Sequence, residues 1–201
     1  MRPIPYDSPS SIFKKIYRAP PAFLLESGKE IGKIGRYSFM GTNPYLTVEF
    51  KDDQWTTKTN GKTQKSPAKD PFVYLRQLLK DYQIKIPSSL PPFFGGAVGY
   101  FGYEVVRHFE KLPELKKNSE DFPDIFLLFV DTIIAIDHLA RTTDIIYTLA
   151  PEELAGCEWS ALRQREEKKY RSIWKNSVKN RPIMADDLHT SQDEHLASSR
   201  L

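Results

Sequence analysis

The sequence predicts an α+β fold of antiparallel sheets with a few flanking helices, and three observations support this class. Short segments with the apolar or alternating character of strands follow one another through the first 150 residues. Segments with helical spacing occur among them, but they do not alternate regularly with the strands as a parallel sheet would require. Hydrophobic residues make up 40% of the 201-residue chain, which is enough for the core of one sizeable domain.

Two helices are predicted in the first 90 residues. Residues 11–18 place apolar side chains at helical spacing, with serines before them that can cap a helix. Asp70 and Pro71 supply an N-cap and a first-turn proline for the second helix. The apolar side chains of this second helix share one face over three turns: Phe72, Leu75, Leu78, Leu79 and Tyr82.

Four strands are predicted between these helices, from the segments "AFLLES", "RYSFMG", "YLTVEF" and "QWTTKT". The dipeptide Asn60-Gly61, a favoured two-residue hairpin turn, closes the fourth strand. We expect these strands to form an antiparallel meander.

Further strands follow the second helix. The segment "FFGGAVGYFGYEVVRHFEKLP" predicts a glycine-rich strand that leads into a short helix near Glu104, and glycine inside a strand indicates that another backbone or a ligand lies close. The segment "DIFLLFVDTIIAIDH" is too apolar for a one-sided strand and predicts a central strand, or a pair of strands, buried on both faces. The segment "TDIIYTL" would pair with it across the turn "HLART".

The composition changes at residue 151. The segment "PEELAGCEWSALRQREEKKYRSIWKN" is charged and helix-prone with a thin apolar stripe, and the residues after it have little to bury. We therefore assign residues 1–150 to one domain, and residues 151–201 to a charged helical extension with a tail expected to be disordered.

Charge and hydropathy exclude several classes of partner. The formal net charge is only +3, and the 29 basic and 26 acidic residues are mixed along the chain, so neither nucleic acid nor a membrane surface is expected as a partner. No apolar stretch approaches the roughly 20 residues of a membrane-spanning helix, and we expect a cytoplasmic protein. The single cysteine, Cys157, cannot form an internal disulfide or a metal-binding cysteine cluster.

Several catalytic motifs are also excluded. A phosphate-binding loop needs four residues between its glycines, whereas Gly28 and Gly32 enclose three, and Ile34 follows Lys33 where Ser or Thr is required. The four histidines are scattered, with no motif that places one as a base. Asp131 and Asp137 would lie on one face of a strand about 20 Å apart, too far to share a metal ion. We predict no catalytic residue and no metal site in this chain.

The remaining candidate is a polar group at the end of the first apolar strand. Glu26 could accept hydrogen bonds from an ammonium group, Ser27 offers a hydroxyl, and Arg36 a planar donor fork suited to a carboxylate. Together these side chains could recognise both ends of an α-amino acid. Alternatively, Glu26 and Arg36 form a surface ion pair across a hairpin while Ser27 caps the turn, and the residues alone favour this second interpretation.

Three long segments resemble a known family when they are taken together and in this order: "FLLESGKEIGKIGRYSFMGTNPYLTV", "PPFFGGAVGYFGYEVVRHFEKLP" and "FPDIFLLFVDTIIAIDHLARTT". The resemblance is to the N-terminal domain of anthranilate synthase component I, the chorismate-utilising large subunit, and it covers roughly residues 8–150. A close relative is component I of para-aminobenzoate (aminodeoxychorismate) synthase, of folate biosynthesis. The segments "GRYSFMGTNP" and "GYFGYEVVRHFEKLP" look more like the anthranilate branch.

The resemblance implies a division of labour. In the family, a C-terminal domain holds the chorismate pocket, the catalytic residues and Mg²⁺, and a glutamine amidotransferase subunit supplies ammonia. No cofactor is therefore expected in this chain, and a chorismate-binding C-terminal domain would be a partner in trans. The N-terminal domain helps to form the pocket for feedback inhibition by tryptophan, and the "LLES" element maps to Leu24 through Ser27.

Carried over by position, the resemblance implies that Leu25, Glu26, Ser27 and Arg36 bind tryptophan, with a one-residue gap before Arg36. The resemblance therefore favours ligand binding by these residues over a surface ion pair. Because the chain stops at Leu201, we expect a truncated chain, inactive alone, with part of the effector pocket and an exposed apolar surface. A split-gene half and a free-standing amino-acid-binding module are the alternatives.

Overall fold

The computed structural model describes residues 1–26, 35–59, 61–81, 88–110, 122–149 and 158–178. The strands of the first half are β1 (Arg2–Ile4), β2 (Ala22–Leu25), β3 (Tyr37–Thr42), β4 (Leu46–Lys51), β5 (Gln54–Thr59) and β6 (Lys62–Pro67). The later strands are β7 (Gly96–Phe101), β8 (Ile125–Val130), β9 (Thr132–Asp137) and β10 (Thr142–Tyr147). The helices are α1 (Pro9–Ile16), α2 (Pro71–Asp81), α3 (Trp159–Val178) and a 3-10 helix (Tyr103–His108).

The strands form two five-stranded sheets. The first sheet has the order β1-β10-β9-β3-β2, and the second has the order β6-β5-β4-β8-β7. Every pairing in both sheets is antiparallel. The predicted α+β class is therefore confirmed.

The predicted continuous meander is wrong, because β3 and β4 belong to different sheets. The chain leaves the first sheet at Asn43, whose φ is +54°, and Pro44 follows with no N–H to donate to a strand ladder. The backbone N–H of Tyr45 then donates to the carbonyl of Phe129 at 3.0 Å, which brings β4 beside β8.

The apolar segment from Asp124 is a pair of strands, as one of the two alternatives predicted, and the chain again changes sheets between them. Strand β8 pairs with β4 and β7 in the second sheet, whereas β9 pairs with β10 and β3 in the first. Asp131 lies at the crossing between the two strands. Both strands have neighbours on each side, and they are buried on both faces because helices cover the outer faces of the sheets.

The two sheets pack face to face, and side chains divide by alternation among three apolar clusters. In β8, Leu128 and Val130 point to the cluster between the sheets, whereas Leu127 and Phe129 point to α2. In β9, Ile133 and Ala135 take the inner face. The outer face of the first sheet packs against α1 and α3 through side chains that include Ile12, Ile16, Met40, Ile134, Ile136 and Ile145.

The caps of the first two helices are present. The Ser8 hydroxyl accepts a hydrogen bond from the backbone N–H of Ser11 at 3.3 Å, so α1 starts two residues earlier than predicted. The Asp70 carboxylate accepts from the backbone N–H of Phe72 at 2.8 Å at the start of α2. Phe72, Leu75 and Leu78 pack into the second sheet as predicted, and Leu79 is exposed. Tyr82, from the same predicted face, lies outside the described residues.

Two glycines meet distinct backbone requirements. Thr59 pairs with Lys62, which confirms that β5 ends in a hairpin turn, and Gly61 has a φ of +77°. The returning strand β6 is not among the predicted strands, and Asn60 lies outside the described residues. A Cβ atom added to Gly99 in β7 would lie 1.8 Å from the Phe126 carbonyl oxygen. The neighbour that the glycine-rich strand predicted is therefore the backbone of β8.

Helix α3 packs on the first sheet beside α1. Tyr170 and Ile173 contact the outer cluster, Leu162 is buried, and Lys169 pairs with Asp131. The helix predicted in the extension is thus present, while the division at residue 150 stays a prediction and residues 179–201 lie outside the described part. Within the described residues, no helix is long and apolar enough to cross a lipid bilayer.

Candidate functional site

The fold brings the predicted site residues to one end of the first sheet. Strand β2 ends at Leu25, which lies directly opposite Phe39 of β3, and Arg36 immediately precedes β3. Glu26 follows β2 and is exposed. Ser27 and the glycines at 28 and 32 lie outside the described residues. Leu25, Glu26 and Arg36 therefore flank the connection between the two strands.

Arg36 forms an ion pair across the sheet rather than along the hairpin. Its Nη2 donates to Asp137 Oδ2 at 2.6 Å, and its Nε lies 3.0 and 3.1 Å from the two carboxylate oxygens. Such a side-on contact matches the planar fork of arginine to both oxygens of a carboxylate. The alternative predicted from the residues alone, an ion pair between Arg36 and Glu26, is therefore wrong: among the described residues, the ion-pair partner of Arg36 is Asp137.

Asp137 is held by more than Arg36. Its Oδ1 also accepts hydrogen bonds from the backbone N–H groups of Leu139 and Ala140, each at 3.0 Å. These contacts close the turn between β9 and β10, and the Asp137 side chain is only 11% exposed. The hydrogen bonds from Arg36 lower the pKa of the Asp137 carboxyl below its ordinary value despite its burial, and the same contact raises the pKa of Arg36.

An apolar row leads from the end of β2 to the Arg36 guanidinium. Leu25 is opposite Phe39, the Phe39 and Tyr37 rings stack with centroids 5.8 Å apart, and Arg36 Cζ lies 4.9 Å from the Tyr37 ring centroid. Leu25 is 46% exposed, and the Arg36 side chain is 42% exposed. Leu25 and Arg36 are separated by about three residues of strand, or about 10 Å. The Leu25 side chain and the Arg36 cation are therefore both accessible within one small area, while Phe39 between them is buried.

A second polar group lies under the same turn, and sequence reasoning missed it. His138, one of the four scattered histidines, lies in the β9-β10 turn. Its Nε2, however, is 2.8 Å from the hydroxyl of the buried Ser38, and its Nδ1 is 3.5 Å from the Tyr6 hydroxyl. Its backbone N–H donates to the Arg36 carbonyl at 2.8 Å. The β3-β9 pairing brings Ser38 and Arg36 to His138 from about 100 positions away, so no local motif could have indicated these contacts.

The two aspartates considered as metal ligands have other partners. Asp131 precedes β9 and pairs with Lys169 of α3, whereas Asp137 ends the same strand and pairs with Arg36. In the part of the chain that the structure describes, no three His, Cys, Asp or Glu side chains lie close enough to hold a metal ion.

Comparison with known proteins identifies the class. Residues 20–198 match the family described as chorismate binding enzyme, and the chain belongs to this family. Its relatives include anthranilate synthase component 1 of Acetivibrio thermocellus, which is 33% identical over 143 residues, 71% of this chain and 29% of the relative. The same component of Pseudomonas aeruginosa is 34% identical over 164 residues, 80% of this chain and 33% of the relative. These matches confirm the resemblance to anthranilate synthase component I.

A solved structure supports the same fold. The crystal structure of anthranilate synthase component I from Streptococcus pneumoniae TIGR4 aligns with a TM-score of 0.54 and 18% identity, over 92% of this chain and 42% of that chain. At this identity the match concerns the fold alone. The chain spans about a third of the length of the curated relatives it matches.

Proposed function

We propose that this chain is the effector-binding N-terminal region of a cytoplasmic anthranilate synthase large subunit in tryptophan biosynthesis, and that its effector is tryptophan. The observation that carries the proposal is the row formed by Leu25, Phe39, Tyr37 and the Arg36 guanidinium at one end of the first sheet. An aromatic amino acid has the matching features, because an apolar ring and a carboxylate lie at its two ends.

Each group of the ligand has a proposed partner. The contact with Asp137 uses Nε and Nη2 of Arg36, so the Nη1 edge is the one proposed to meet the carboxylate of tryptophan. The exposed Glu26 is proposed to receive the ammonium group, and the resemblance assigns a contact to the hydroxyl of Ser27, the next residue in sequence. Leu25 offers apolar surface to the indole ring.

Catalysis is proposed to lie elsewhere. The complete enzyme would convert chorismate to anthranilate with Mg²⁺ and with ammonia from a glutamine amidotransferase subunit. No group of three His, Cys, Asp or Glu side chains lies together among the described residues, and the chain spans about a third of the length of its relatives. We therefore assign to this chain a structural and regulatory role, with a chorismate-binding domain as the partner that would complete the effector pocket.

Calorimetry tests the effector proposal. We expect saturable heat when tryptophan is titrated into the 201-residue chain, and at least about tenfold weaker binding by Ser27→Ala, since a hydrogen bond to a charged ligand is worth about 1.5 kcal/mol or more. Ser66→Ala, in β6 at the far edge of the second sheet, is the matched control and should bind as the wild type does. Absence of saturable heat with the wild-type chain would contradict tryptophan binding by this region.

A further inference from the structure

We propose that Asp137 is a positioning residue of the candidate effector site, which orients the Arg36 guanidinium so that its Nη1 edge recognises a ligand carboxylate. This inference rests on the function proposed above, and it adds a residue that is not among the site residues assigned by resemblance. Asp137 itself would not touch the ligand.

The contacts of the pair make the orientation specific. Three contacts of 2.6 to 3.1 Å join Nε and Nη2 of Arg36 to both oxygens of Asp137, so the guanidinium cannot rotate without losing at least one of them. The carboxylate is fixed in turn by the N–H groups of Leu139 and Ala140. The Tyr37 ring, 4.9 Å from Arg36 Cζ, restricts the guanidinium further.

Asp137 is more deeply buried than Arg36, as expected if Asp137 positions Arg36 for a ligand. The Asp137 side chain is 11% exposed, whereas that of Arg36 is 42% exposed. The acid is thus held within the sheet and the cation is accessible to a ligand. Because a long arginine side chain would otherwise sample many rotamers, holding it in place reduces the entropy lost on binding.

The same contact has an opposing electrostatic effect, and this makes the inference testable. Asp137 cancels the charge of Arg36, so its carboxylate weakens the long-range attraction of any anionic ligand group. If orientation dominates, removing the Asp137 charge weakens the binding of a carboxylate ligand. If net charge dominates, the same change strengthens it. The two effects therefore predict opposite signs for one substitution.

The experiment compares tryptophan with tryptamine, which has the same ring and amino group but no carboxylate, by calorimetry on the 201-residue chain. We expect Asp137→Asn to weaken tryptophan binding by about tenfold and to change tryptamine binding by less than about twofold, because only tryptophan uses the oriented guanidinium. Asp131→Asn, which removes the ion pair with Lys169 at the opposite end of β9, is the matched control and should leave both ligands unaffected.

Arg36→Lys provides a second variant that keeps the positive charge but cannot make the side-on contact with Asp137. It should also bind tryptophan more weakly while tryptamine binding stays as in the wild type, and this expectation holds whether or not Asp137→Asn folds. Three results would each overturn the inference but not the proposed function. In a folded Asp137→Asn chain these are unchanged or tighter tryptophan binding, or equal losses of affinity for tryptophan and tryptamine. In Arg36→Lys it is a preference for tryptophan over tryptamine as large as in the wild type. A wild-type chain that binds no tryptophan would overturn the proposed function and the inference with it.

Discussion

At the scale of single residues, the partner of Arg36 is the feature that most changes the interpretation of the site. Glu26 is ten positions away in sequence, and Asp137 is 101 positions away, yet it is Asp137 that the guanidinium contacts. The reason is the order of the first sheet, in which β3 lies between β2 and β9. Tyr37 and Asp137 are directly opposite each other, so the residue before Tyr37 can reach the acid.

Asp137 also gives the stability of the protein a defined pH dependence. Because its pKa in the folded state lies below the ordinary value of 3.8, its ionised form favours folding. This contribution is complete above the ordinary pKa and is lost as the pH falls through the folded-state pKa. We expect the difference in free energy of unfolding between the wild type and Asp137→Asn, from urea denaturation, to be constant from pH 7 to about 5 and to shrink below about pH 4.

A control separates Asp137 from the other carboxylates that titrate in the same range. Glu167 also has a lowered pKa, chiefly through its hydrogen bond from Arg171. The Glu167→Gln variant keeps Asp137, so it should also keep the acid-dependent loss of stability that Asp137→Asn removes. A difference between wild type and Asp137→Asn that stays unchanged down to pH 2 would contradict the assignment.

At the scale of elements, the close approach of the β7 and β8 backbones explains why β7 has a glycine at position 99. Glycine-rich strands can indicate either a ligand or another chain segment, and at Gly99 the neighbour is β8, with Gly99 paired to Leu127. A side chain at this position would meet the Phe126 carbonyl, which belongs to the strand ladder and cannot move aside without breaking hydrogen bonds.

Gly99→Ala should therefore destabilise the protein by about 3 kcal/mol in urea denaturation, at the upper end of the usual cost of overpacking. Gly102→Ala is the control. Its added Cβ would lie 3.1 Å from the Asp124 carbonyl oxygen, and its φ of −67° suits any residue, so about 1 kcal/mol is expected. An equal loss of stability for the two substitutions would show that the close approach of the β8 backbone is not the reason for glycine at position 99.

Helix α3 is the element whose role the composition understated. Its high charge suggested an extension beyond the domain, yet Leu162, Tyr170 and Ile173 pack against the body of the protein. The charged residues that accompany them also make specific contacts, as in the pairs Lys169–Asp131 and Arg2–Glu167. A thin apolar stripe is sufficient here because α1 already covers part of the same sheet face.

The division of the chain at residue 150 can be tested by truncation. We expect a chain of residues 1–150 to have a free energy of unfolding about 4 kcal/mol lower than a chain of residues 1–178, since it loses the burial of two to three apolar side chains. It should also bind a hydrophobic dye at the exposed outer face of the first sheet. Equal stability of the two chains would instead support a domain that ends at residue 150.

At the scale of the whole molecule, two changes of sheet build the fold, one after β3 and one after β8. They place the central strands of both sheets face to face and bring β3 beside β9, and the candidate effector site lies at one end of that pairing. In the function proposed above, catalysis lies outside this chain.

The purified 201-residue chain should accordingly form no anthranilate from chorismate, ammonia and Mg²⁺, measured by the fluorescence of the product. A full-length anthranilate synthase component 1, such as the Acetivibrio thermocellus relative, serves as the positive control under the same conditions. Anthranilate formed by the chain alone would contradict the proposal that catalysis lies outside it.

The amino-acid sequence by itself determined most of the elements and the family. Local signals suffice for these, because capping by Ser8 and Asp70, the Asn60-Gly61 turn and the apolar run from Asp124 act over a few residues. The tertiary structure alone decided which strands share a sheet, that α3 packs on the body of the fold, and that Arg36 meets Asp137 and Ser38 meets His138. Those contacts join residues about 100 positions apart, and antiparallel strands can pair in several orders with equally good local patterns, so burial of the whole core selects the order.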